Sequence, residues 1–436
     1  MNQQYAISEY PNVEEVYAKL ENLISQPPRP VRREKMKEYL NYFDTKCVRS
    51  KQLIDEAKQI IPGGVQHNLA FNYPFPIAIE KAEGAHLWDA DGNQYIDFLQ
   101  AGGPTILGSN YLGSGTESVM AAIRAARTFT KKKYVIKVGG AYHGWSDSMV
   151  YGLHIPGTGR LEAKGIPRGA SASTREFYPN ALGALRRQLF LNRFRGGTAA
   201  VIVEPVGPES GTRPVSKDFN QKVRELCDEF GALLIFDEVV TGFRLGLGGA
   251  QGYFNVKPDL TVFGKCITGG YPMAGGVGGR RDVIATFAAG IGGVGERVYI
   301  GGTLSANPLS CVAGYYALIE MEKTNAAAIA GKAGDRLTKG LQAIIEKYSL
   351  PFVAYNQGSI VHLETAGTML LDFKHPLRLA KGLKPRKHMM EEMGAAYMAN
   401  GLVTLAGSRM YTSMADTDEV IDDALNRFET VLKECE

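Results

Sequence analysis

Between residues 113 and about 320 the chain alternates short apolar runs with amphipathic stretches, and each run stops at a polar or glycine residue. The runs are Tyr134–Val138, Ala200–Glu204, Ala232–Asp237 and Leu260–Phe263. Ser118–Phe129 and Lys217–Phe230, lying among them, repeat their apolar residues at helical spacing. A strand without in-and-out alternation is buried on both faces, which a parallel sheet between helix layers provides. The fold class expected is therefore α/β, with a mostly parallel sheet sandwiched by helices. In such sheets chemistry gathers at the carboxyl ends of the strands, so the polar residues that stop the runs are the ones to examine.

The remainder divides around this block. Residues 1–60 are expected to form an N-terminal helical arm: Val13, Val16, Leu20 and Leu23 recur at helical spacing, and Arg33–Phe43 resumes after Pro27-Pro28-Arg29-Pro30. Residues 61–111 read as the N-terminal part of a small domain, with a hairpin of Ala85–Trp88 and Gln94–Phe98 turning at Asp91-Gly92-Asn93. Residues 112–324 form the large domain. Residues 325–436, with helices at 326–347 and 387–400, complete the smaller α+β domain. The stretch from Asp89 to Gly92 looks like the start of a calcium loop, but its glycine falls too early and Gln100 stands where the closing glutamate belongs. Calcium is excluded there.

Composition narrows the function classes. A hydrophobic share of 44% with 22% charged residues is that of an ordinary globular enzyme. The net charge of +4 is spread along the chain, and its densest cluster, Lys131-Lys132-Lys133, reads as a solvated loop rather than a nucleic-acid patch. No apolar run approaches 18 residues, so no membrane span is expected. The N-terminal residues lack a secretory pattern. The five cysteines include no closely spaced pair, which suits reduced thiols in the cytoplasm.

Four features carry chemistry. Gly113-Ser114-Gly115-Thr116-Glu117 runs directly into a helix, where free N–H groups and a positive dipole end suit an anion such as phosphate. The same residues also serve as plain helix caps. No lysine follows as in a nucleotide-binding P-loop. Tyr142-His143 follows Gly139-Gly140 at a strand end. Asp237 closes the buried run ALLIF, where a carboxylate needs a cation or a donor; a salt bridge, a helix cap and a protonated heterocyclic nitrogen all satisfy that need. Lys265 lies just past Leu260–Phe263 among apolar and glycine residues, a setting that desolvates an amine and suits it to attack carbonyls. An anion cup, an aromatic platform, a strand-end acid and a strand-end amine together make the parts needed to hold pyridoxal phosphate.

The segments SGTESVMAAIRAARTFT, AYHGW, IVEPV, LLIFDEVVTGFR, PDLTVFGKCITGG and GGTLSANPLSC, in this order, resemble the class III, fold-type I pyridoxal-phosphate enzymes. The likeness is strongest to the glutamate-1-semialdehyde aminomutase group and its transaminase relatives, and it runs from about Ile61 to the C-terminus. It implies a seven-stranded-type sheet in the large domain and pyridoxal 5'-phosphate as cofactor. By resemblance, Ser114, Gly115 and Thr116 cradle the phosphate, Tyr142 stacks on the ring and Val239 packs on the opposite face. Asp237 holds the pyridine nitrogen protonated. Lys265 forms the Schiff base and moves the proton. Glu204 and His143 stand behind the ring, His143 as a support for Tyr142. Thr303, ahead of a helix capped by Ser305, matches the residue that reaches the phosphate of a neighbouring subunit, so a homodimer with shared active sites is implied.

The substrate side departs from the aminomutase pattern, which has an arginine soon after the PGGV segment. Here residues 63–76 contain none, and His67 and Asn68 occupy its region. A carboxylate clamp generally wants a guanidinium; Arg409, expected in a turn, is a substitute from another direction. The Tyr73-Pro74-Phe75-Pro76 ending looks more like that of β-amino-acid transaminases. The leading expectation is an aminotransferase acting on an amino acid, a β-amino acid or an amine with a keto acid. Alternatives are an aminomutase, a racemase or epimerase, and a binding-only homologue. Finally, Tyr111 is followed directly by Leu112, where the resemblance calls for roughly fifty residues carrying two helices and a substrate-side loop. The expectation is that this join spans an absent segment, since a crossover to a parallel sheet takes a dozen residues or more.

Overall fold

The structure, a computed structural model, describes residues 5–61, 64–65, 72–107, 115–271, 275–287, 296–302, 307–372, 374–405 and 407–436. In chain order its strands begin with β1 (Ile79–Glu83), β2 (His86–Asp89) and β3 (Gln94–Asp97). Six follow: β4 (Tyr134–Val138), β5 (Thr174–Phe177), β6 (Thr198–Val203), β7 (Leu233–Asp237), β8 (Leu260–Phe263) and β9 (Gly276–Gly279). The last are β10 (Val353–Gln357), β11 (Ile360–Glu364), β12 (Leu402–Val403) and β13 (Arg409–Tyr411). The chain divides into two units. One takes Met1–Tyr5, Tyr111–Ala327 and Asp372–Pro376; the other takes Ala6–Asn110, Ala328–Leu371 and Leu377–Glu436.

The first unit holds a sheet in the order β5-β4-β6-β7-β8-β9, parallel throughout except for β9, which runs antiparallel to β8. Every residue of β4, β6 and β7 is buried, as unbroken apolar runs require. Val135, Ile202 and Ile235 pack with Val119, Ala122 and Ile123 of the helix Thr116–Thr130. The alternate residues Ile136, Val201 and Leu234 pack with Leu185, Leu189 and Val223 from the helices Leu182–Asn192 and Phe219–Phe230. Burial of each such aliphatic side chain contributes about 1.5–3 kcal/mol.

Six strands stand in this sheet among the described residues, where the resemblance implied seven. Only residues 98–115 separate β3 from the first helix of this unit, and residues 108–114 of that connection lie outside the described residues. The register aligns the strand ends. Val203 stands opposite Phe236, and Asp237 opposite Val262. The residues following β4, β6, β7 and β8 therefore emerge along one edge of the sheet.

In the second unit, β1-β2-β3-β12 form one sheet and β10-β11-β13 another. The hairpin turn spends its carboxylates on backbone. Asp89 accepts from the N–H groups of Asp91 and Asn93 at 3.0 and 2.8 Å, and Asp91 from those of Arg49 and Ser50 at the start of the helix Val48–Ala57. Residues 13–46, read as an arm, supply Val16, Leu20, Leu23 and Phe43 to the core of this unit. The helix at 387–400 begins earlier than expected and spans Pro376–Ala399 with Pro385 inside it. Arg409 is half-buried on β13, opposite His362, and so lies on a strand rather than in a turn. No disulfide joins any of the five cysteines. No helix of the described residues is long and apolar enough to cross a membrane.

Candidate active site

The residues that follow four strand ends of the first unit meet in one place. Asp237, the last residue of β7, is 5% exposed. Its Oδ2 accepts from His143 Nδ1 at 2.7 Å and its Oδ1 from the N–H of Val239 at 3.1 Å. His143 is fully buried, and that burial, only partly offset by Asp237, holds its pKa below the usual imidazole value. The neutral ring with its proton on Nδ1 suits the carboxylate, and it leaves a buried Nε2 with no hydrogen-bond partner. His143, expected beside Tyr142, is thus hydrogen-bonded to Asp237.

Close backbone approaches bring in the other segments. A Cβ on Gly115 would lie 2.5 Å from Val239 Cγ2, and one on Gly264 would lie 3.1 Å from Val239 Cγ1 and 3.4 Å from Gly115 Cα. A Cβ on Gly144 would lie 2.5 Å from Thr116 Oγ1, and Gly144 also holds a φ of +84°, so no other residue fits. Gly115-Thr116, Tyr142-His143-Gly144, Asp237–Val239 and Gly264-Lys265 are therefore neighbours. Lys265 opens a short 3-10 helix with a φ of +47°, an uncommon conformation for a lysine. It is half-buried rather than buried. Tyr142 and Val239 are likewise half-buried.

These parts fit pyridoxal phosphate on the structure's own terms. A helix start free of a Cβ at Gly115 suits the phosphate. Two half-exposed apolar faces suit the ring, and a buried carboxylate held by two donors suits its nitrogen. A half-buried lysine suits the aldehyde. Ser114, Thr303, His67 and Asn68 lie outside the described residues, as does the Tyr111–Leu112 bond. The expected Ser305 cap lies outside them too. The helix Pro308–Thr324 is instead capped by Asn307, whose side chain accepts from the N–H of Leu309 at 3.0 Å. Arg409 belongs to the second unit.

Of the charges beneath this edge, Glu204 was expected behind the ring, while Lys137 and Glu238 were passed over. Glu204, just past β6, is 7% exposed, and its carboxylate accepts from the N–H groups of Tyr142, Glu209 and Ser210 at 2.9, 3.1 and 2.8 Å. Burial, with Glu209 and Asp237 nearby, pushes its pKa up to about 7. Lys137, inside β4, is fully buried and donates to the carbonyls of Ala141 and Met149 at 2.7 and 3.3 Å; burial pushes its pKa down to about 8. One charge inside a strand covered on both faces was a legible signal. Glu238 accepts from the N–H groups of Ala250 and Gln251 at 2.6 and 3.1 Å, and burial raises its pKa to about 7.

The last shift gives a stability prediction. Folded Glu238 keeps its proton up to about pH 7, whereas the unfolded side chain loses it near the ordinary glutamate value of 4.5. The folded state binds more protons in that window, so this group's stabilisation is lost as pH rises from about 4.5 to 7. Glu238→Gln removes the titration. Relative to wild type, the variant is expected to gain on the order of 1–2 kcal/mol between pH 5 and 7.5. Urea unfolding of the ligand-free protein at both pH values measures it, and a stability difference that stays constant with pH would refute it.

Comparison with known proteins agrees with this geometry. The profile of the family Aminotransferase class-III matches residues 109–432. A glutamate-1-semialdehyde 2,1-aminomutase of Acetivibrio thermocellus is 36% identical over 431 residues, covering 87% of this chain and 96% of the relative. Since 87% of 436 residues is about 379, some fifty aligned positions face no residue here, the size of the shortfall read at Tyr111–Leu112. In overall fold the chain is similar to an omega-transaminase from Sphaerobacter thermophilus, with a TM-score of 0.77 and 24% identity over 90% of this chain and 99% of that one. It is equally similar to a glutamate-1-semialdehyde aminomutase from Pseudomonas aeruginosa PAO1, with a TM-score of 0.77 and 22% identity over 96% and 99%. The chain, its strand-end residues and its sheet order taken together, belongs to the class-III aminotransferase family.

Proposed function

We propose that this protein is a pyridoxal-phosphate-dependent aminotransferase that moves an amino group between an amino acid, a β-amino acid or an amine and a keto acid. The observation that carries the reading is the meeting of Gly115-Thr116, Tyr142, Asp237, Val239 and Lys265 at one edge of the sheet. When bound, the cofactor supplies an aldehyde and an electron-withdrawing pyridinium ring. Lys265 Nζ would hold that aldehyde at rest and, once displaced by the substrate amine, would be the base that takes the proton from the substrate α-carbon. Asp237, with His143 fixing one oxygen, keeps the ring nitrogen protonated. Tyr142 and Val239 hold the two ring faces, and Ser114, Gly115 and Thr116 take the phosphate. His67, Asn68 and Arg409 are the candidates for the substrate's carboxylate.

A second reading, intramolecular amino transfer as in an aminomutase, is favoured by the names of the relatives at 34–36% identity. The missing arginine in residues 63–76 weighs against it. A panel of amino donors separates the readings. An aminotransferase releases one keto product per site from donor alone. An aminomutase rearranges its substrate with no net keto acid, and a racemase only exchanges the α-proton with deuterated solvent. A panel that yields no keto product would sink the leading reading.

The homodimer and a cytoplasmic location belong to the same proposal. The helix Pro308–Thr324 exposes Leu309, Val312, Tyr315 and Tyr316, each more than half exposed. A contiguous apolar patch of that kind suits a subunit contact, with Thr303 just ahead of it in sequence. A monomer in sedimentation at assay concentration would remove that part. Five cysteines with no disulfide among them support a reducing compartment.

A further inference from the structure

We infer that His154 is a positioning residue that fixes Tyr142 as a platform of the active site, an inference that rests on the reading of Tyr142 as a ring-stacking residue. The two rings lie nearly parallel, 12° apart with centroids 6.3 Å from one another. His154 is not held there by packing alone. Its Nδ1 meets Glu209 Oε1 at 2.6 Å, and its Nε2 faces Glu162 Oε2 at 3.7 Å. The Glu209 backbone N–H donates to Glu204 Oε1, the same oxygen that accepts from the N–H of Tyr142. The contacts close a circuit: Tyr142 backbone, Glu204, Glu209 backbone, Glu209 carboxylate, His154 ring, Tyr142 ring.

The backbone supports this assignment. His154, Glu209 and Ser210 have φ values of +55°, +54° and +57°. None is glycine, and left-handed conformations at three such residues persist only where the surroundings over-determine them. Each of these turns aims a group into the circuit: His154 its ring toward Glu209, and Glu209 and Ser210 their N–H groups toward Glu204. The His154 segment is also tied to the end of β4, where the N–H of Gly140 donates to Gly152 at 2.8 Å. The platform thus has a backing that is itself held through its Nδ1 by Glu209. The planar face of His154 is what Tyr142 meets.

A positioning role and a purely structural ion-pair role predict different variants. His154→Phe keeps a planar face and loses the carboxylate contacts, whereas His154→Gln keeps a hydrogen-bonding group and loses the face. Binding of pyridoxal 5'-phosphate is measured by absorbance titration, the circular dichroism of the bound cofactor reports its orientation, and thermal unfolding of each ligand-free variant controls for folding. His154→Phe is expected to bind within about threefold of wild type and to retain the cofactor's dichroic band. His154→Gln and His154→Ala are expected to bind at least about tenfold more weakly with a diminished band. If His154→Ala does not fold, the other two variants decide the matter. Wild-type binding and dichroism in His154→Gln would overturn the inference. So would full additivity of Tyr142→Ala and His154→Ala in the double variant, since a residue acting through Tyr142 has nothing to add once Tyr142 is gone. Unchanged binding in Tyr142→Ala alone would instead overturn the ring-stacking reading beneath it, and the inference with it.

Discussion

Lys265→Ala is expected to abolish amine turnover, with a loss of at least about a thousandfold, because one side chain both holds the cofactor and moves the proton. Loss of a positioned acid–base group costs about 10²–10⁴-fold by itself. The amine sits one residue past the Gly264 approach to Val239 and Gly115, so alanine there removes the reactive group without filling or emptying the core. The ligand-free fold is expected to be retained, and small external amines are expected to restore part of the proton transfer. Single-turnover measurement with a good donor checks this. Turnover near the wild-type rate would end the assignment of Lys265.

Asp237→Asn is expected to lower turnover by about 10²–10³-fold, as loss of a buried charge-assisted contact worth about 2–5 kcal/mol implies. The surroundings specify how. In the wild type two donors, His143 Nδ1 and the N–H of Val239, converge on the carboxylate. An asparagine can accept from Val239, but its amide then faces His143 as a donor. The imidazole must move its proton to Nε2, the atom that otherwise has no partner. Nitrogen NMR of His143 should show that tautomer change alongside the loss of rate, with unfolding temperature little altered. Activity within a factor of two of wild type would contradict the role of Asp237.

Strands β4 and β8 and the helix Ala326–Lys347 were legible to the residue, because a fully buried strand or a strongly amphipathic helix writes its burial directly into residue type. Two strands of the same sheet were not. β5, with the sequence TREF, is an edge strand whose middle residues are half-exposed, so charge is tolerated where a buried strand would forbid it. β9 is Gly-Val-Gly-Gly, which carries almost no strand preference and is held by its pairing to β8. Pro385 hid the first half of the helix Pro376–Ala399, since a proline usually marks an end. In the site, Asp237 and Lys265 announced themselves as polar residues at the ends of apolar runs. His154 and Glu209 did not, because 55 residues separate them and neither breaks a local pattern. Their meeting is a product of topology, in which the loops after β4 and β6 emerge side by side from adjacent strands.

The placement of Lys137 bears on how an aldehyde chooses one amine among the many that a chain like this carries. Proton affinity alone would nominate Lys137, whose pKa burial pushes down to about 8 and which therefore holds a share of free amine at neutral pH. Yet it is 0% exposed, with its nitrogen spent on the carbonyls of Ala141 and Met149, so no carbonyl compound reaches it without first opening β4. Lys265, by contrast, is half-exposed and sits on a turn with a φ of +47°. Burial thus denies Lys137 to an aldehyde whatever its basicity, and borohydride trapping followed by peptide mapping should mark Lys265 and pass over Lys137.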